Sequence, residues 1–444
     1  MNRKQKISSW NNKILIAIMW IAYLPAGTEG TVLASPTEPG ESEPKAKETS
    51  EQPESFESES ALTGDWGGVR STLLENGINI GIANTGDLLA NSRGVSADVR
   101  YANLLEASLT ADMDKLAGLT GGSLYIMAIG THGRDPGEAT GSIAAPSNLA
   151  ANDTFKLFEA WYEQTFFNDR IGILAGLYAV DSEFDAKGTA DVFLNGAFGT
   201  GLDLSETGLN GPSIFPVTSL GVRVRANITE EITLRATVLD GAPGDPDHPR
   251  GTRIGLKKGD GLLIMSELDY QPHAFDFLRF GVGSWLYTAD FDDLADTRPN
   301  GDPVRREGSY GIYGFVEGVI FNEPDTVDQG LSGFLRIGSA DEDVNQIGTF
   351  YGAGLVYTGL FPSRDDDVLG LGVTVGINGD KYERALKSAG GSVKDAEIAL
   401  ELTYRAQITP WLSLQPVLQY YINPGTDPAL NDNIVGGFRY GVTF

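Results

Sequence analysis

The sequence predicts an all-β protein, a transmembrane antiparallel β-barrel of about sixteen strands with a short helix at its periplasmic mouth. Three observations predict it. From residue 78 onward, segments of about ten residues alternate apolar and polar side chains with a period of two. No stretch beyond Leu24 is apolar enough to cross a membrane as a helix. The chain closes with Ile434, Gly436, Phe438, Tyr440, Val442 and Phe444 on one face and Val435, Gly437, Arg439, Gly441 and Thr443 on the other. That is the length of a tilted membrane strand. Its aromatic end, Phe444, is the kind of terminus that barrel proteins present to the outer-membrane assembly machinery.

Arg3, Lys4, Lys6 and Lys13 precede an apolar run from Ile14 to Leu24, followed by Pro25, Gly27 and Val32-Leu33-Ala34. The run is about half as long as a spanning helix, so residues 1–34 are expected to be a signal peptide cleaved after Ala34 rather than an anchor. Residues 35–61 are rich in Pro, Ser and Glu, with Phe56 as their single aromatic. Such a segment cannot bury enough apolar surface to offset its ordering entropy and is expected to be a disordered acidic tail. Residues 62–444 are then the barrel.

Composition excludes several functions. The 444-residue chain carries 33 Lys and Arg against 60 Asp and Glu, a net charge of -27 that argues against nucleic-acid binding. It has no Cys, hence no disulfide, thiolate metal site or Cys nucleophile. His132, His248 and His273 are the only histidines, and none accompanies a nucleophile motif. Neither enzymatic chemistry nor a cofactor is expected.

Strands are expected at 78–88, 100–113, 121–131, 154–167, 170–179, 217–227, 231–239 and 261–270. The second half should carry them at 276–288, 308–320, 331–339, 348–358, 368–378, 396–407, 411–421 and 434–444. Connectors 114–120, 168–169, 228–230 and 408–410 are short, whereas 132–153, 180–216, 240–260, 289–307 and 379–395 are long. Short periplasmic turns alternating with long outer loops are the plan of a membrane barrel. In a soluble sandwich the oily face would turn inward; here length and leader favour oily faces toward lipid and charged faces toward an aqueous lumen.

Residues 62–77, LTGDWGGVRSTLLENG, resemble the opening signature of the OprB-type carbohydrate-selective porins. Further fragments are similar to the same family: LFEAWYEQTF (157–166), RIGILAGLYAVDSEFD (170–185), FPVTSLGVRVR (215–225), GDGLLIMSELDY (259–270), SRDDDVLGLGV (363–373) and ELTYRAQITPWLSLQPVLQYYINPG (401–425). The resemblance spans essentially all of 62–444; the acidic tail falls outside it. It implies a sixteen-stranded barrel in a Gram-negative outer membrane, a homotrimer, that passes sugars such as glucose. Within the opening motif, Asp65 or Thr63 can cap a helix running through Leu73 and Leu74 and ended by Asn76-Gly77. It is expected at the periplasmic mouth, a plug in the lumen being the alternative.

A neutral sugar calls for hydrogen-bond partners and stacking faces rather than one sign of charge. Strand parity turns Arg223, Arg225, Arg235, Arg279, Arg336, Arg405 and Arg439 into the lumen. Glu106, Glu159, Glu163, Glu267, Glu317, Glu397 and Glu401 share that face, with Trp161, Trp285, Gln415 and Gln419 between. Arg223 with Arg225, and Glu401 with Arg405, are the preferred candidate contacts; the plain alternative is that such residues solvate the wall and pair with one another. Loop 180–216 carries FLNGAFGTGLDL, too apolar for a solvated loop, and is expected to fold inward and narrow the pore. Tyr404, Tyr420 and Tyr440 read as interfacial girdle residues. The acids at Asp290–Asp296, Asp341–Asp343 and Asp365–Asp367 read as solvated loop charge, without calcium-loop spacing, although divalent ions could bridge them to lipopolysaccharide. The expected function is a passive diffusion channel preferring carbohydrates; a general or ion-selective porin, a barrel adhesin or a barrel enzyme are the alternatives.

Overall fold

The structure, a computed structural model, describes residues 58–444 apart from 276, 325, 327 and 328. The expected signal peptide and nearly all of the acidic tail lie outside the described residues. The tail's last residues, Ser58–Ser60, form a 3-10 turn, and Ala61 is buried.

The strands are β1 (Ile78–Asn91), β2 (Asp98–Asp112), β3 (Gly122–Gly133), β4 (Thr154–Phe166), β5 (Ile171–Tyr178) and β6 (Ser219–Asn227). They continue as β7 (Ile232–Asp240), β8 (Leu262–Tyr270), β9 (Leu278–Thr297), β10 (Pro303–Asn322) and β11 (Gly330–Ala340). The last five are β12 (Ile347–Thr358), β13 (Val368–Asn378), β14 (Ala396–Thr409), β15 (Leu412–Ile422) and β16 (Asn433–Thr443). Each pairs antiparallel with its sequence neighbours, and β16 returns to β1 from Ala83↔Thr443 to Asn91↔Val435, closing a sixteen-strand barrel. Closure leaves no free sheet edge, as a lipid environment demands.

Which face turns inward is plain along β13 and β14. Leu371 and Leu402 point outward at 55% and 46% exposure, while Glu401 and Thr403 point inward at 1%. A one-residue slip would exchange the faces of a whole strand. A charge moved to the lipid side at mid-depth costs about 2–4 kcal/mol, so the alternation itself fixes the register.

The expected outer loop at 289–307 is largely strand instead. β9 and β10 run on past the barrel as a hairpin, turning only at 298–302. Its acids, read as loop charge, face basic residues across the ladder: Arg305 lies 2.9 Å from Asp292 and Arg306 lies 2.6 Å from Asp293. Opposite charges in register extend a hairpin that composition alone reads as a loop.

The opening helix, α1 (Val69–Glu75), is present, but its N-cap is Gly68 and no side chain caps it there. Gly64, Gly67 and Gly68, all at positive φ, add turns before the helix. Asp65 reaches over those turns and accepts the Ser71 N–H at 2.8 Å. Gly77 ends the helix at φ +86, donating to the Leu74 carbonyl at 2.9 Å. Arg70 bonds the Ile80 carbonyl at 3.1 Å, and Leu62 N bonds Thr443 O at 2.8 Å. The helix therefore sits at the short-turn mouth, which in barrels of this plan faces the periplasm.

Candidate functional site

Two loops from the far end enter the barrel and meet inward-facing side chains. The larger, residues 179–218, is held by carboxylates that accept its backbone N–H groups. Glu159 takes Ala179 at 3.0 Å, Glu267 takes Asp185 at 2.7 Å, and Glu317 takes Thr189 at 2.9 Å. Glu401 takes both Leu194 and Asn195, at 2.7 and 2.9 Å. Arg336 on β11 is 1% exposed and grips two loop carboxylates, Asp185 at 2.9 Å and Asp203. The smaller loop, 134–153, is held likewise. Glu397 accepts from Ile143 and Ala144 at 2.9 and 2.7 Å, Gln419 donates to the Pro146 carbonyl at 2.9 Å, and Asp87 accepts from Ser147 at 2.7 Å. Loop amides packed against the wall are shut off from bulk water, and the wall carboxylates supply the acceptors they need.

Packing completes the insertion. Phe193 and Phe198 stack with centroids 4.3 Å apart and lie against the inner faces of β12 and β13, which are glycine there. A Cβ at Gly372 would come within 2.6 Å of the Phe198 ring, and one at Gly354 within 2.5 Å of Phe334. Glycine on the wall is what lets the loop's aromatic rings approach so closely.

The candidate lumen residues consequently fall into two groups. Arg336, Glu267, Glu401 and Gln419 are buried and hold the loops; Gln415 joins them, donating to the Val192 carbonyl at 2.5 Å. Glu401 and Arg405 do not pair: Glu401 faces the loop, and Arg405 stays half-buried with no hydrogen bond or ion pair among the described residues. The second group pairs chiefly with carboxylates. Arg223 is braced by Glu163 at 2.8 Å and by the loop's Glu183 at 2.7 Å, while Arg225 lies 3.6 Å from Glu163. Arg235 and Arg279 share Asp269, and Arg279 also reaches Glu317 at 3.2 Å. Arg439 makes a forked pair with Asp87 at 2.7 and 2.8 Å and bonds Asn148 at 2.6 Å. Glu106 is half-buried and bonds to nothing among the described residues. Trp161 stacks on Tyr125 at 5.1 Å, whereas Trp285 is buried in an apolar cluster.

Sequence reasoning missed Tyr125, Asp87, Glu183 and the loop's Asp185, Lys187 and Asp203. Tyr125 escaped because both faces of β3 are apolar, with Tyr125, Met127 and Ile129 inward and Ile126 exposed outward. Strand parity carried across from Glu106, which pairs with Ile129, would have placed it.

At the far rim, Lys381 in α2 (Asp380–Ser388) sits among Asp293, Asp296 and Asp343 at 2.5, 3.0 and 2.9 Å. These acids, read as solvated charge, instead surround a protein ammonium. Burial alone would raise the Asp293 carboxyl, but hydrogen bonds from Lys381 and from the Asp296 and Ala295 N–H groups outweigh it and hold it below the usual carboxylate range.

A closed sixteen-strand barrel with an oily exterior, a polar interior and inserted loops that narrow it defines an outer-membrane diffusion channel. The sequence model of the carbohydrate-selective porin, OprB family, matches residues 96–444, and the chain belongs to that family. It is 25% identical to Porin B of Pseudomonas aeruginosa over 421 residues, covering 86% of this chain and 91% of that protein. In fold it is similar to the high-pH structure of Pseudomonas putida OprB, with a TM-score of 0.78 at 22% identity over 88% of this chain and 100% of that one. The low-pH structure of the same protein gives 0.58 at 18% identity, over 88% of this chain and 100% of that one. The protein is a porin of the Gram-negative outer membrane.

Proposed function

We propose that this porin passes glucose-like mono- and short oligosaccharides by passive diffusion, the inserted loops setting the size limit and the paired charges of the lumen the preference. The carrying observation is charge compensation. Arg223 and Arg225 meet Glu163, Arg235 and Arg279 meet Asp269, and Arg439 meets Asp87. A filter for anions would present unopposed cations; paired donors and acceptors suit hydroxyl groups. Liposome swelling tests this: glucose should enter faster than a neutral, non-sugar solute of equal size. Equal rates would favour a general porin, and strong ion selectivity without sugar preference an ion-selective one.

We further propose that the chain works as a transporter without enzymatic activity, as a homotrimer, and is delivered by the leader at 1–34 and the terminal Phe444. The outward faces of β1 and β2 support self-association. There the Asn84 and Asn103 amides bond each other at 3.1 Å and the Tyr101 and Tyr440 hydroxyls meet at 2.8 Å. Such polar groups suit a protein neighbour better than lipid. The mass of the detergent-solubilised particle and the yield of a Phe444 deletion in the outer membrane test these points. Contact of the acidic rim with lipopolysaccharide through divalent ions would show as chelator-sensitive co-purification.

A further inference from the structure

The inner wall is used unequally. From β8 round to β15 its polar side chains hold loops: Glu267, Glu317, Arg336, Glu397, Glu401 and Gln419 all end on loop atoms. Toward the short-turn end of β3 to β6, no loop atom among the described residues takes the polar groups of Glu163 or Arg225, whose side chains keep 16% and 23% exposure. Beside them, Tyr125 and Trp161 occupy directly paired positions of β3 and β4. Their rings lie 5.1 Å apart at 30°, both half-buried. Glu163 follows Trp161 by two residues and therefore shares its face. The neighbouring strand has Gly172 at the position paired with Arg225. A Cβ there would stand 2.4 Å from Glu163 Oε1 and 3.2 Å from Arg225 Nη2, so the glycine keeps open the space where the two charges meet.

An aromatic surface beside a partly exposed carboxylate and guanidinium, on the short-turn side of the loop contacts of Glu159 and Arg223, has the parts a cyclic sugar requires. One face of a pyranose is a layer of C–H groups that packs on aromatic rings, and its rim carries hydroxyls that both donate and accept. We propose that Tyr125, Trp161, Glu163 and Arg225 form a pyranose subsite on the periplasmic side of the loops. The ring's C–H face rests on the aromatic pair, Glu163 accepts from hydroxyls and Arg225 donates to them. The site distinguishes a cyclic sugar from a linear polyol of the same carbon number and similar size, which offers no flat face. This assignment rests on the sugar-channel reading above.

The test is single-channel current through the full-length protein in planar bilayers, titrated with glucose and, separately, with the linear hexitol sorbitol. Wild type should be blocked by glucose at lower concentration than by sorbitol. Trp161→Leu and Tyr125→Leu keep the wall apolar but remove a ring, and each should raise the half-blocking glucose concentration about 3- to 10-fold. The sorbitol titration should move less than the glucose titration, and the open-channel current reports that each variant has inserted. Tyr125→Phe keeps the ring and should behave as wild type. Leucine variants with wild-type conductance and an unchanged glucose titration would overturn the subsite while leaving the sugar channel standing. A wild-type channel that does not distinguish glucose from sorbitol would instead overturn the sugar preference, and the subsite with it.

Discussion

The Glu401 carboxylate on β14 accepts the backbone N–H of Leu194 at 2.7 Å, joining the channel wall to the middle of the constricting loop. Asn195 N–H shares the same carboxylate at 2.9 Å. Glu401→Ala should leave both amides buried without an acceptor, at a cost of about 1–3 kcal/mol each. The expected result is faster amide exchange across 190–200 and a higher single-channel conductance, with the barrel strands still protected. Glu401→Gln, which keeps one acceptor oxygen, should fall between.

Arg336 is the more severe case. Replacing it with Met leaves Asp185 and Asp203 buried, with Lys187 at 2.8 Å from Asp185 as the remaining cation. Breaking a buried pair from one side typically costs about 3–5 kcal/mol. Loop 179–218 should become sensitive to protease, and liposomes should admit larger neutral solutes than with wild type.

Arg225→Ala and Arg223→Ala should separate selectivity from architecture. The first removes a half-exposed cation that lies 3.6 Å from Glu163, so the reversal potential in a salt gradient should move toward cation preference with conductance little changed. The second also leaves Glu183 with Tyr178 of β5 as its remaining partner on the wall, so the same shift should come with a change in conductance. Unchanged sugar flux in both variants would remove these arginines from the solute path.

At the rim, pH should act in one direction. The Asp293 carboxyl is held below its usual range, so it contributes stability that is full above the ordinary carboxylate value of about 4 and is lost as pH falls through its lower folded value. Exchange protection of α2 should hold from neutral pH down to about 4 and weaken below it. Lys381→Met should weaken protection already at neutral pH and flatten this acid dependence.

The barrel was legible because lipid and water impose opposite demands on alternate residues. That demand is written into most strands, from Ile398 and Leu400 against Glu397 and Glu401 to the closing strand. The inward turn of 179–218 was legible for a related reason, since Phe193, Leu194 and Phe198 had to be covered. How the loop is held was not legible. The partners of Glu267, Glu317, Glu397 and Glu401 are main-chain amides, which every residue carries and no sequence pattern marks. The same carboxylates therefore read as solute contacts. The β9–β10 extension was hidden by composition, because Asp290, Asp292 and Asp293 suggest a loop until Arg305 is set opposite Asp292 in register and Arg306 reaches across to Asp293.

The wall-to-loop hydrogen bonds also impose an order of events during biogenesis. Leu194 and Glu401 are 207 residues apart, and Ile143 and Glu397 are 254 apart. The loops leave the barrel between early strands, yet most of their carboxylate acceptors lie on β8 to β14, so neither loop is fully held until the second half of the wall is in place. Until the amides find those glutamates, the lumen they narrow is unfiltered. Docking of the loops is the step that turns a hole in the membrane into a sieve.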